Sequence, residues 1–250
     1  MLSDGYRQVV DAMMKLENDG QKENLSRFFK TGKGEYGYGD LFLGIKVPQT
    51  RQVVKEYWKK CNLDDVKELL VSQYHELRLC SLLILVRIFK HAGKDSALRK
   101  QCVAFYLSRT EYINNWDLVD LSCYEILGTW FSDKEKGTLY DLARNGRTIW
   151  ENRIAMVSCI QFVRNGEFSD CMHIADILLH HKHDLIHKAV GWLLRDVGER
   201  DAVLLRTFLL SPADGECLPR YKSMPRTTLR YAIEKFPEEE RLAYLKGTAI

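Results

Sequence analysis

Apolar residues recur along this chain at helical spacing, and clear strand-like alternation is nowhere to be found. Val9, Val10, Met13, Met14 and Leu16 fit one face of an amphipathic helix. Pro48 suits a first helical turn and opens the segment PQTRQVVKEYWKKC. Gly93, Gly128, Gly137, Gly146, Gly166 and Gly198 fall near expected helix ends. The one clear loop is TGKGEYGYGD, residues 31–40. Four segments share a plan: LRLCSLLIL (77–85), NRIAMVSCI (152–160), HKAVGWLLR (187–195) and PRTTLRYAI (225–233). Each has a cationic or polar residue, a small residue two positions on, then apolar spacing. Arg78, Arg153, His187 and Arg226 are the equivalent positions, separated by 75, 34 and 39 residues, and the first gap holds a further repeat at Trp116. Periods of about 35–40 residues belong to paired-helix solenoids of the HEAT or armadillo kind.

The expected fold is therefore all-α, an α-solenoid of roughly a dozen helices in stacked pairs. Residues 1–250 are expected to form a single HEAT-like repeat domain, with N-terminal helices over 1–30, the glycine-rich loop over 31–40 and the repeat array over 41–250. One helix from every repeat faces a concave groove in such an array. Trp116, Arg153 and Trp192 fall on successive inner helices.

Composition narrows the partners little. The chain has 250 residues, 46% hydrophobic, with 37 basic and 34 acidic side chains and a net charge of +3. Any basic footprint must come from arrangement on one face rather than from bulk charge. Seven cysteines at 61, 80, 102, 123, 159, 171 and 217 include no Cys-x-x-Cys pair, which points to a reduced, cytoplasmic protein. The longest apolar run, LCSLLILV (79–86), is too short to span a bilayer, so no membrane partner is expected. The glycine-rich loop lacks the Gly-Lys-Ser/Thr ending of a phosphate-binding loop. His180, His181, His183 and His187 crowd one segment, but no Glu or Cys at ligand spacing completes a zinc set, and HHKHD reads as a polar turn between helices. No metal and no cofactor are expected.

The chemistry lies elsewhere. Trp116 and Asp120 are four residues apart and share one helical face. Trp192 lies four after Lys188 and three before Arg195, so those three share another. Such a surface shows a carboxylate, two indoles and several cations. It suits a positively charged ring attached to a polyanion. Taken singly, each residue has a plainer reading: Asp120 as a solvated aspartate or local cap, Trp192 as core packing, Arg153 as a salt-bridge partner of Glu151 or of a neighbouring repeat. Asp117, after the N-capping residues Asn114 and Asn115, reads as an aspartate favouring the positive end of the helix dipole.

FLGIKVPQTRQVVK (42–55), WDLVD (116–120), IWENRIA (149–155), KAVGWLLRDV (188–197) and MPRTTLRYAIEKF (224–236), in this order, resemble the AlkD-type DNA alkylation repair glycosylases, which are HEAT-like repeat proteins. The resemblance covers most of the chain. It implies that Trp116 and Trp192 face the lesion, that Asp120 is the catalytic aspartate and that Arg153 contacts DNA in the active site. Lys188 and Arg195 could add phosphate contacts. The implied activity is excision of cationic N3- or N7-alkylated purines from double-stranded DNA, by a monomer that is cytoplasmic and nucleoid-associated when bound. The alternative is a non-catalytic HEAT-repeat module that binds DNA or protein. Two positions depart from the best-known pattern: Asn115 stands where another aromatic is usual, and Phe28 lacks a tyrosine hydroxyl.

Overall fold

A computed structural model describes residues 3–213 and 215–250, so the first two residues of the 1–30 segment lie outside it. The described residues are all-helical, with no strand and two isolated bridges, Leu41 to Tyr74 and Pro212 to Pro219. Two compact units divide the chain, one ending at Ile126 and the other beginning at Leu127.

The first unit carries α1 (Asp4–Met14), α2 (Asp19–Phe28), α3 (Val47–Tyr57), α4 (Leu63–Leu70), α5 (His75–His91), α6 (Ser96–Leu107) and α7 (Trp116–Asp120). Ser3 caps α1 by accepting from the Gly5 and Tyr6 amides, and its own hydroxyl donates to Asp65 at 2.6 Å. That bond ties the first helix to α4. Pro48 sits in the first turn of α3, as its sequence predicts. The centre of the unit is α5, buried on nearly every side from Leu77 to Val86 and packed by α3, α4, α6 and α7. A helix apolar all round must be enclosed by others. The 31–40 segment is a loop, and Gly34 and Gly39 take positive φ within it.

The second unit carries α8 (Thr129–Phe131), α9 (Gly137–Asn145), α10 (Ile149–Ser158), α11 (Ile160–Arg164), α12 (Ser169–Ile177), α13 (Asp184–Gly198), α14 (Ala202–Leu210), α15 (Arg220–Ser223), α16 (Arg226–Ala232) and α17 (Glu238–Lys246). Its core is a stack in which α10 packs on α13 and α13 on α16, with α9, α12 and α14 flanking. Gly191 makes the last step close: a Cβ there would stand 2.6 Å from the Thr228 carbonyl oxygen. Gly128 falls at a boundary between helical elements, as expected: it ends a π-turn (Tyr124–Gly128) and precedes α8. A Cβ on it would stand 2.4 Å from the Ser158 carbonyl oxygen, so close packing also requires glycine there. Among the described residues no helix is long and apolar enough to cross a membrane.

Candidate active site

The site grows from the short helix α7. Asn115 caps it, its side-chain oxygen accepting from the Trp116 amide at 2.9 Å. One turn then places Trp116 and Asp120 on the same face, both half-buried. They line a cavity of about 400 Å³ together with Phe28, Phe29, Phe42, Ile45, His75, Glu76 and Leu79. The walls are mostly aromatic and aliphatic. The Trp116 ring stacks on Phe29 at 5.3 Å and meets Phe28 edge-on at 5.7 Å. Phe28 is 60% exposed, so its ring stands at the mouth and not in the core.

Behind the aromatic wall lies a charge cluster. His75, the first residue of α5, is buried between two carboxylates: Nδ1 lies 3.1 Å from Asp40 and Nε2 lies 2.8 Å from Asp117. Burial alone would lower the imidazole pKa, but the Asp117 and Asp40 carboxylates overcome it and hold His75 up at about 9. His75 is therefore an imidazolium at neutral pH, donating from both ring nitrogens. Its ring also stacks against Phe42 at 4.8 Å and lies 4.7 Å from Phe29. Asp40 takes a second cation, Arg78, at 2.7 Å and a hydrogen bond from Asn114 at 3.1 Å. Burial favours the neutral form of Asp40, yet His75 and Arg78 keep its pKa below the ordinary value. Two cations and two carboxylates thus balance inside the unit.

This cluster fixes α7. Asp117 follows Trp116 directly, and its other oxygen accepts from the Leu118 amide at 2.9 Å. Gripping Asp117 therefore sets the angle at which Trp116 and Asp120 meet the cavity. The cluster also gives the glycine-rich loop a role, because the loop ends at Asp40. Gly37 brings it close: its amide donates to the Lys30 carbonyl, and a Cβ would stand 2.3 Å from the Phe29 carbonyl oxygen. Next to His75, Glu76 accepts from the amides of Leu43, Gly44 and Ile45 at 2.8–3.0 Å. Gly44 has φ +82°, a conformation that side chains rarely adopt.

Asp117 does stand in the first turn of α7 behind its Asn115 cap, as the sequence reads, and it is also the buried partner of His75, which the sequence did not show. Asp40 and His75 were missed as well, and Arg78 was read only as a repeat position. One signal was available: His75, Glu76 and Arg78 sit in the helix that carries the apolar run LCSLLILV, and buried ionisable groups need partners.

The remaining candidates belong to the second unit. Arg153 is 6% exposed on α10 and donates to the Leu185 carbonyl. Glu151, its suggested partner, pairs with Arg147 at 2.7 Å. Lys188, Trp192 and Arg195 share one face of α13 and are all half-buried. Lys188 pairs with Asp184 at 2.7 Å, and Arg195 pairs with Glu234 at 2.6 Å. The histidine segment is the turn before α13, where His183 caps the helix by accepting from the Leu185 amide at 3.1 Å. Burial lowers the pKa of His183, as it does for His181.

Chemically, the first unit offers an apolar cavity with one indole face and a carboxylate at its edge. Such a site favours a flat, cationic guest over a neutral one. A family model described as DNA alkylation repair enzyme matches residues 9–236. Among solved structures, a predicted DNA alkylation repair enzyme from Enterococcus faecalis superposes with a TM-score of 0.66 at 15% identity, over 89% of this chain and 97% of that one. That likeness shows a shared fold. No curated protein sequence matches the chain.

Proposed function

Since the chain belongs to the DNA alkylation repair enzyme family, we propose that it is a DNA glycosylase acting on cationic N3- or N7-alkylated purines in duplex DNA. The observation that carries this reading is the pairing of Trp116 and Asp120 at one mostly apolar cavity. Alkylation at N3 or N7 leaves a formal positive charge on the base. When the C1′–N9 bond breaks, its electron pair goes to the base and neutralises that charge, so the leaving group needs no acid. Positive charge then develops on the deoxyribose as an oxocarbenium ion. The Asp120 carboxylate stabilises that charge and orients the water that attacks C1′. The water's proton passes to solvent, leaving an abasic sugar. No step requires a metal.

Trp116 contributes an indole against the lesion nucleotide, with Phe28 beside it at the mouth. In the second unit the family resemblance assigns Trp192 a similar contact and Arg153 a DNA contact, with Lys188 and Arg195 on phosphates. The packing of α3 and α7 on α5 in the first unit, and the stacking of α10 on α13 and α13 on α16 in the second, support a HEAT-like array as the scaffold. A neutral lesion lacks both the activated leaving group and the cation contact, so it is a poor substrate on this account.

The test is incubation of the protein with duplex DNA carrying a single 7-methylguanine. Release of free 7-methylguanine with one abasic site per base released is expected. A protein that binds the duplex but releases nothing is a binding module, and the glycosylase reading is then wrong.

A further inference from the structure

We propose that a second, basic cleft in the first unit is a seat for a phosphate of the DNA backbone next to the lesion. The cleft holds about 170 Å³ and is lined by Arg51 of α3, by Leu83, Arg87 and Lys90 of α5, and by Leu121 and Glu125 beyond α7. That volume is room for roughly six water molecules at about 30 Å³ each, enough for a phosphate group.

Its position follows from helix geometry. Val47 and Leu79 line the lesion cavity, and Arg51 and Leu83, each four residues on, line the cleft. Leu121 lines both. The cleft is therefore the next helical turn of the same three-element surface, displaced by about 5.4 Å. Successive base pairs of a duplex lie about 3.4 Å apart along its axis, so such a step spans one to two nucleotides.

Its charge is equally specific. Lys90 pairs with Glu125 at 2.8 Å, which uses that carboxylate. Arg51 and Arg87 are exposed, and neither forms an ion pair among the described residues. Three cations against one carboxylate leave a local excess of two positive charges. This contrasts with the lesion cavity, where His75 and Arg78 are balanced by Asp40 and Asp117. Guanidinium groups pair with phosphate oxygens in two-point contacts, which suits Arg51 and Arg87 to this ligand. The cleft then holds the strand while the neighbouring cavity holds the base.

This proposal rests on DNA being the substrate, and its test separates the two. Binding to a lesion-free duplex is measured across a salt series for the wild-type protein, for Arg51→Ala, Arg87→Ala and the double variant, and for Lys67→Ala on α4 as a charge-matched control. Circular dichroism confirms folding, which is expected because both arginines are exposed. Each arginine variant should weaken binding 3–10-fold, and the double variant should lower the slope of log affinity against log salt by about 1–2. Lys67→Ala should do neither, and its single-turnover release at saturating DNA should remain within about twofold of wild type. Wild-type binding with an unchanged slope in the double variant overturns the cleft alone. Inorganic phosphate or a mononucleotide competing at Arg51 and Arg87 while wild-type protein ignores duplex DNA overturns the backbone assignment together with the DNA reading.

Discussion

The charges around His75 in the first unit and those along α13 in the second are organised in opposite ways. Around His75 the ionised groups are buried, each carboxylate has at least two partners, and the cluster is neutral as a whole. Along α13 the cations Lys188 and Arg195 keep partial contact with solvent, and each has a carboxylate near the surface. A buried pair cannot exchange its partner without stranding a charge in a low-dielectric interior. A surface pair contributes little, about 0–1 kcal/mol, and exchanges a carboxylate for a phosphate at small cost. The first arrangement suits a site whose geometry must be in place before a ligand arrives. The second suits a surface that trades protein partners for a polyanion.

The comparison breaks most easily at Asp117. Asp117→Ala leaves His75 with one carboxylate instead of two and removes the grip on α7. The expected loss is on the order of 3–5 kcal/mol of folding stability, towards the lower end because Asp40 remains. Urea unfolding checks it, and a loss under about 1 kcal/mol would mean the cluster carries no such load. A smaller effect follows from pH. His75 has a folded pKa of about 9 against an ordinary 6.5, so its contribution is complete below about pH 6.5 and is lost as pH rises through 9. The wild-type protein should lose on the order of 3 kcal/mol over that interval. His75→Gln, less stable at neutral pH, should show a flatter profile. Equal slopes in the two proteins would remove His75 from the account. Smallest is Arg195→Ala, with a stability change under about 1 kcal/mol because only a surface pair is lost. Its DNA affinity should nevertheless fall, with the salt slope reduced by about 1. If stability fell by several kcal/mol while DNA affinity stayed unchanged, Arg195 would be a structural residue.

What the sequence made legible divides along the same line. Helices, the 31–40 loop, the first turn at Pro48 and the shared face of Lys188, Trp192 and Arg195 rest on spacings of a few residues, which periodicity reports directly. Trp116 and Asp120 were visible for the same reason, since one turn of α7 joins them. The His75 cluster was not. Asp40, His75 and Asp117 lie 35 and 42 residues apart, and each has an acceptable local role as a turn or cap residue. Only the return of the chain brings them together. The Arg195 pairing with Glu234, 39 residues on, was hidden in the same way. Gly128 was legible as a helix-boundary glycine, but its close approach to the Ser158 carbonyl was not, because glycine marks both helix ends and close packing and sequence alone does not separate the two.

The central claim is that the negative charge of Asp120 acts on the transition state of base loss. Its most direct test compares wild-type protein and Asp120→Asn on one 7-methylguanine duplex, measuring affinity and single-turnover base release side by side. Asparagine keeps the shape and removes the charge. If that charge acts on the developing oxocarbenium ion and not on the bound ground state, release should slow by about 10²–10³ while affinity changes by less than about threefold. An Asp120→Asn protein that releases 7-methylguanine at the wild-type rate would contradict the account.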